Sequence, residues 1–152
     1  MRILIAAVGR DRAGPTRDLV ALYRDRLTWP FELMEVDVKR KLPPDRLPDA
    51  EAALLLATLP TGCIRVALDG SGHQLSSRKL AERLAAWRDG GVRDVAFLIG
   101  GADGHGSAVL DSAALVLSLG AMTWPHLLVR GMVLEQIYRA QCILAGHPYH
   151  RD

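Results

Sequence analysis

Short apolar runs alternate along this chain with segments of helical periodicity, and this alternation constrains the fold most. Residues 2–9 and 94–99 are almost continuously apolar, as strands buried on both faces of a sheet are. Residues 63–69 and 114–119 have the same character. Residues 31–38 alternate apolar with acidic side chains, which predicts a half-exposed strand near an edge. Five strands alternating with helices predict an α/β fold with a mainly parallel sheet.

Helical patterns separate the strands. Apolar side chains recur at helical spacing over residues 16–27 and 49–59, and these helices end at Trp29-Pro30 and at Pro60. Three further helices are predicted: from Ser76 or Ser77 to Asp89, a short one from Ser107, and a long one from about His126 to Ala145. We therefore expect a single domain over residues 1–152, with helices flanking a five- to six-stranded sheet.

Composition excludes several classes of protein. With 49% apolar and 24% charged residues, the chain is not a disordered one. A net charge of +2 is too balanced for a histone-like binder, so any nucleic-acid contact must be a local patch. No window holds 18 apolar residues without charge, and Cys63 and Cys142 lie in apolar surroundings. We expect a cytoplasmic protein with no membrane span.

The last predicted helix carries two apolar stripes. One holds Leu127, Gly131, Leu134, Tyr138, Cys142 and Ala145, and the other holds Val129, Met132, Val133, Ala140 and Ile143. One stripe can cover the sheet, and the other then needs a second partner. A second subunit is the economical partner in a chain of this length, and burial of the whole helix in its own domain is the alternative.

Three glycine-bearing loops follow predicted strands, where parallel sheets bind ligands. They are residues 68–72, 99–104 and 119–125. Glycine permits close backbone approach to a ligand, although strand-to-helix turns also favour it for geometric reasons. No dinucleotide-binding or P-loop pattern is present, so an adenosine-containing ligand without a pyrophosphate fits better than NAD or ATP.

The C-terminus concentrates polar, reactive side chains. His147-Pro148-Tyr149-His150-Arg151 combines groups that can stack on a base, transfer a proton and hold a phosphate, although a frayed tail would also explain its position. Zinc binding is not expected, because these histidines lack cysteine or carboxylate neighbours in the sequence.

Four ordered motifs resemble one known family. They are Phe97-Leu98-Ile99-Gly100-Gly101-Ala102-Asp103-Gly104, then Leu117-Ser118-Leu119-Gly120-Ala121-Met122-Thr123-Trp124-Pro125-His126, then Glu135-Gln136-Ile137-Tyr138-Arg139-Ala140, and the C-terminal His147 to Arg151. In order, spacing and overall length the chain resembles the ribosomal large-subunit RNA methyltransferase H family, which comprises 23S rRNA pseudouridine N3-methyltransferases of the SPOUT, or α/β-knot, class.

The resemblance implies a deep trefoil knot in the C-terminal third and a homodimer. It implies S-adenosylmethionine as cofactor, bound by Leu68, Gly100, Leu119, Gly120, Ala121, Met122, Thr123 and Trp124. The substrate would be a pseudouridine of 23S rRNA in the assembled ribosome, and no metal is implied.

Roles in methyl transfer follow from the resemblance and from side-chain chemistry. His150 is the candidate base or orienting group, and Tyr149 is the candidate stacking residue. Arg151 would hold phosphate or favour the anionic base. The candidate RNA contacts are Arg130, Arg139 and His126, although Glu135 stands four residues before Arg139 and can pair with it instead.

Two other functions remain open. A related knotted methyltransferase could act on tRNA, and a non-catalytic ribosome-associated module could bind an adenosine ligand. Methyl transfer to purified ribosomes or to tRNA separates the three hypotheses. Because the chain offers little surface for an independent grip on RNA, a large preassembled target is favoured.

Overall fold

The computed structural model describes residues 1–150 and contains five strands and five helices in that range. The strands are β1 (Arg2–Val8), β2 (Phe31–Val36), β3 (Ile64–Gln74), β4 (Asp94–Ile99) and β5 (Leu115–Ser118). The helices are α1 (Pro15–Arg24), α2 (Leu47–Ala57), α3 (Ser77–Asp89), α4 (Ser107–Ser112) and α5 (His126–Leu144). Each predicted element is present, with bounds that differ by a few residues.

The five strands form one parallel sheet in the order β2-β1-β4-β3-β5. The strand with alternating acidic residues, β2, lies at an edge as predicted, and the continuously apolar β1 and β4 are central. All carboxyl ends of the strands meet at one edge of the sheet, which brings the three glycine-bearing loops together.

Each face of the sheet carries its own core. One core joins Ile3, Ile5 and Phe97 to the inner sides of α1, α3 and α5. The other joins Ala6, Val8 and Leu98 to α2 and α4. Successive residues of a strand point to opposite faces, so the continuous apolar runs are what a sheet covered on both sides requires.

Strand β3 is longer than the predicted 63–69, so residues 68–72, which were predicted as a loop, lie within the irregular part of the strand. Its pairing with β5 is interrupted after Leu68 and resumes at His73, because the Asp69 side chain accepts hydrogen bonds from the Ser71 N–H and hydroxyl and turns the chain. At Gly72 an added Cβ would come within 2.6 Å of the Val116 carbonyl oxygen. The glycine therefore permits the close passage of the two strands.

Helix α5 is enclosed more fully by its own domain than the two-stripe pattern predicted. It packs against both α1 and α3. Val133 and Ala140, which belong to the second stripe, are buried in the same core as Leu134 of the first. The interpretation of this stripe as a free face was wrong for these two residues, because a helix lying in the groove between two others buries most of its circumference.

Candidate functional site

A cavity of about 270 Å³ lies at the carboxyl edge of the sheet, above β4, β3 and β5. Its walls come from the three glycine-bearing loops. The residues predicted for the cofactor all line it: Leu68, Gly100, Leu119, Gly120, Ala121, Met122, Thr123 and Trp124. The structure thus brings together eight residues that are up to 56 positions apart in the sequence.

Backbone packing explains the glycine at position 100. A Cβ there would lie 2.7 Å from the Gly104 carbonyl oxygen and 3.2 Å from Nδ1 of His105. Gly101 and Gly104 form an isolated bridge that closes this turn. A side chain at Gly100 would therefore displace the loop that forms the cavity wall, which differs from the direct obstruction of a ligand expected from sequence.

Residues 119–124 supply the exposed side of the cavity. Gly120 has φ +113°, a left-handed conformation that side chains rarely adopt. Met122 is 72% exposed and Trp124 is 37% exposed. Exposed apolar side chains at the mouth of a cavity are suited to contact a ligand or a second macromolecule.

Two ionisable side chains, the buried Glu51 and the half-buried His105, support the glycine loop from behind, and sequence analysis assigned a role to neither. The Glu51 carboxyl group lies against Gly101, and burial together with Asp103 raises its pKa. His105 donates from Nε2 to the Leu98 carbonyl oxygen at 3.1 Å, and burial lowers its pKa. The only signal in the sequence was an acidic residue inside the apolar stretch of α2.

Arg130 occupies a different place from the one predicted. It is fully buried, with Nη2 donating to the carbonyl oxygens of Val8 at 2.8 Å and Gly9 at 2.9 Å. Nη1 forms an ion pair with Glu35. The predicted contact with RNA is not available to a side chain enclosed in this way. Arg130 instead ties the start of α5 to the carboxyl ends of β1 and β2.

His126 lies between the cavity and the end of β1. Its ring lines the cavity, and its Nε2 would be 3.3 Å from a Cβ built on Gly9. Burial and the nearby Arg130 lower its pKa, which favours the neutral imidazole. This position at the cavity wall suits contact with a bound ligand or with an incoming base.

Glu135 organises the residues around the C-terminal tail. It accepts hydrogen bonds from Nε and Nη2 of Arg139, as the i,i+4 spacing indicated, and from the Tyr149 hydroxyl at 3.0 Å. The Arg139 guanidinium lies 5.0 Å from the Tyr149 ring centroid. The Tyr149 hydroxyl is also 3.3 Å from that of Tyr23. Tyr149 and Arg139 are thus held together against α1 and α5.

The tail residues that the structure describes, up to His150, do not line the cavity of their own chain. Within residues 1–150, the cavity is lined by no residue beyond Val129. With a rise of 1.5 Å per residue, Glu135 lies about 14 Å along α5 from His126. His150 is partly buried beside Tyr149. Arg151, the third predicted catalytic residue, lies outside the described residues.

A second, open cavity of about 560 Å³ runs between α1, α3 and α5. Leu19, Leu75, Leu80 and Met132 give it an apolar lining, and Glu135 borders it. Leu117, Leu119 and Gly120 line both cavities, which are therefore adjacent. Of the second stripe of α5, Met132 is the residue that faces this open groove.

Residues 1–150 hold neither a metal-binding cluster nor a membrane-spanning helix. No group of three or more His, Cys, Asp or Glu side chains there is placed to hold a metal ion. None of the helices in that range has the length and apolar character needed to cross a bilayer.

Comparison with known proteins shows the family to which the chain belongs. A family model described as predicted SPOUT methyltransferase matches residues 1–150. The chain belongs to the SPOUT methyltransferase family. A domain of this family uses a methyl donor, and its C-terminal third forms the knot of the class, a feature that periodicity cannot predict.

Among SPOUT proteins the chain is similar to several bacterial relatives named ribosomal RNA large subunit methyltransferase H. It is 58% identical to that of Paramagnetospirillum magneticum and 56% identical to that of Rhodospirillum centenum, each over 99% of both chains. It is 51% identical to that of Rhodospirillum rubrum over the full length of both. The sequence-based resemblance to this methyltransferase family is therefore confirmed.

Proposed function

We propose that this protein transfers a methyl group from S-adenosylmethionine to N3 of a pseudouridine in 23S rRNA within the assembled ribosome. The observation that carries the proposal is the convergence of eight predicted cofactor residues on one cavity, in a chain up to 58% identical to relatives named for rRNA methylation. The adenosine moiety would lie against the backbone of the Gly100 and Leu119–Trp124 loops.

The reaction is an in-line displacement. When bound by the Gly100 and Leu119–Trp124 loops, S-adenosylmethionine would supply an electrophilic methyl carbon: the ring nitrogen would form the new N–C bond as the C–S bond breaks, with S-adenosylhomocysteine as the leaving product. The N3 proton must also depart, and its pKa of roughly 9–10 means that a base or a nearby positive charge has to assist. His150 would accept or orient this proton, Tyr149 would stack on the target base, and Arg151 would stabilise its anionic form.

We propose further that the active unit is a homodimer with composite sites. Tyr149 is held at Glu135, about 9 Å along α5 beyond Val129, the last residue of that helix to line the donor cavity, and is poorly placed to serve that cavity. A second copy seated in the open groove would adjoin Leu117, Leu119 and Gly120. The tail of one subunit could then complete the donor site of the other, with Arg139 and Glu135 holding Tyr149 in place.

Sedimentation of charged variants tests the dimer. Met132→Asp places a carboxylate in the groove and should yield a monomer, because a buried charge without a partner costs several kcal/mol. Leu54→Asp is the matched control, since Leu54 is 38% exposed on α2, at the opposite face of the sheet. Equal dimer content in both variants would refute the interface. Val133→Asp is unsuitable because Val133 is a core residue.

Methyl transfer assays test the reaction. Purified protein with methyl-labelled S-adenosylmethionine should modify ribosomes that lack the methyl group and should leave purified tRNA unlabelled. Label in tRNA would favour the tRNA-directed alternative. Binding of S-adenosylmethionine without label in either RNA would favour the non-catalytic module.

A further inference from the structure

Basic side chains gather at the carboxyl ends of β1 and β2. The segments 9–14 and 37–46 follow these strands and together hold six basic and three acidic residues. Their excess of three positive charges exceeds the net +2 of the whole chain, so the remainder is slightly acidic. The six basic residues, which we call the basic rim, are Arg10, Arg12, Lys39, Arg40, Lys41 and Arg46.

The two segments begin side by side. Val8 is paired with Val36, the Gly9 N–H donates to the Val36 carbonyl oxygen at 2.8 Å, and the Asp11 N–H donates to Glu35 at 2.9 Å. Charges that are separate in the sequence therefore belong to one surface.

The side chains of the basic rim are available to a partner. All six residues are exposed. The ion pairs formed within residues 1–150 involve none of them, whereas Arg2, Arg24, Lys79 and Arg88 are each paired with a carboxylate. Asp11 is buried and accepts a hydrogen bond from Thr16, so its charge is directed inward.

The basic rim adjoins the methyl-donor cavity. Strand β1 lies next to β4, and β2 lies next to β1, so the two segments begin about 5 and 10 Å from the end of β4. His126 bridges the interval, since its ring lines the cavity and approaches Gly9. On the other side, toward β5, the cavity borders the groove assigned above to a second copy.

We infer that the basic rim binds the sugar-phosphate backbone of the substrate RNA on one side of the target base. A nucleotide whose base enters the cavity remains joined to the neighbouring nucleotides. The backbone phosphates of those neighbours must therefore lie along an open side of the site. Unpaired cations beside that opening match a chain of regularly spaced negative charges. The inference rests on the proposed function, because it takes RNA as the substrate.

Matched double variants test the assignment. Arg40→Ala with Lys41→Ala removes two charges from the basic rim, and Arg83→Ala with Arg93→Ala removes two exposed, unpaired charges elsewhere. Ribosome binding is measured by sedimentation over a range of salt concentrations. The rim variant should bind roughly tenfold more weakly, and its slope of log affinity against log salt should fall by about 1.4, near 0.7 for each lost phosphate contact. The control should match wild type.

Two further readouts separate docking from the chemical step. The rim variant should bind S-adenosylmethionine with unchanged affinity in calorimetry and should keep its single-turnover rate at saturating ribosome. A rim variant that matches the control in affinity and salt slope would overturn the inference, and so would a lower rate at saturation. Wild-type protein that binds ribosomes but transfers no methyl group would instead overturn the proposed function.

Discussion

Replacing Arg130 with methionine tests whether this residue is a structural clamp or an RNA contact. The change keeps an unbranched side chain of similar reach and removes three hydrogen bonds: two to the carbonyl oxygens of Val8 and Gly9 and one to Glu35. Since α5 begins where the cofactor loop ends, release of the clamp should also loosen that loop.

The loss of stability expected for Arg130→Met follows from the burial of the Arg130 side chain. Breaking one side of a buried ion pair costs about 3–5 kcal/mol, because the remaining charge loses its partner. The two carbonyl oxygens also lose their donor, but the Glu35 carboxylate left behind is 26% exposed and these contributions overlap, so we expect the total to stay within that range. For a domain of this size, the melting temperature should fall by roughly 6–20 °C.

Urea and thermal unfolding at fixed protein concentration measure the loss, and ribosome sedimentation measures RNA contact. The double variant Arg130→Met with Glu35→Gln should be more stable than the sum of its single variants predicts, because the unpaired carboxylate is removed. An Arg130→Met protein that melts like wild type but binds ribosomes weakly would refute the clamp and restore the RNA role.

Two substitutions and one deletion also probe the site. Gly100→Val should abolish binding of S-adenosylmethionine in calorimetry, because its Cβ would displace the Gly104 backbone, and unchanged affinity would contradict the loop assignment. Deleting residues 149–152 should preserve cofactor binding and lower single-turnover methyl transfer at least ~100-fold, and a normal rate would show that the base lies elsewhere. Burial raises the pKa of Glu51, so the wild type loses stability as pH rises from the ordinary value of 4.5 through the folded pKa. Glu51→Gln cannot ionise and should gain melting temperature relative to wild type between pH 5 and pH 8; a constant difference would contradict this.

Much of the fold could be predicted because it follows from local patterns. The continuous apolar runs of β1 and β4 predict strands covered on both faces, and the acidic alternation of β2 predicts an edge strand. The segments that line the 270 Å³ cavity could also be located, because parallel strands bring their carboxyl ends to one edge. The continuation of β3 beyond Gly72 could not be predicted from the sequence. It depends on hydrogen bonds that the Ser71 N–H and hydroxyl donate to the Asp69 side chain.

The missed features depend on contacts between distant parts of the chain. An arginine in a helix suggests an exposed cation, and burial of Arg130 follows only from its meeting with Glu35, 95 positions away. From the sequence alone, Glu51 would likewise be predicted to lie at the surface. It is buried because α2 packs beside the turn that contains Gly101. The position of Tyr149 depends on Tyr23, which lies 126 positions away. No local pattern encodes such pairs.

Mass mapping of 23S rRNA tests the central claim most directly. Ribosomes from a strain that lacks this protein are compared with those from the same strain carrying the wild-type gene or one lacking residues 149–152. We expect one pseudouridine-containing fragment of 23S rRNA to lose a single methyl group, and wild type but not the truncated form to restore it. An unchanged 23S rRNA mass map in the strain without the protein would contradict the account.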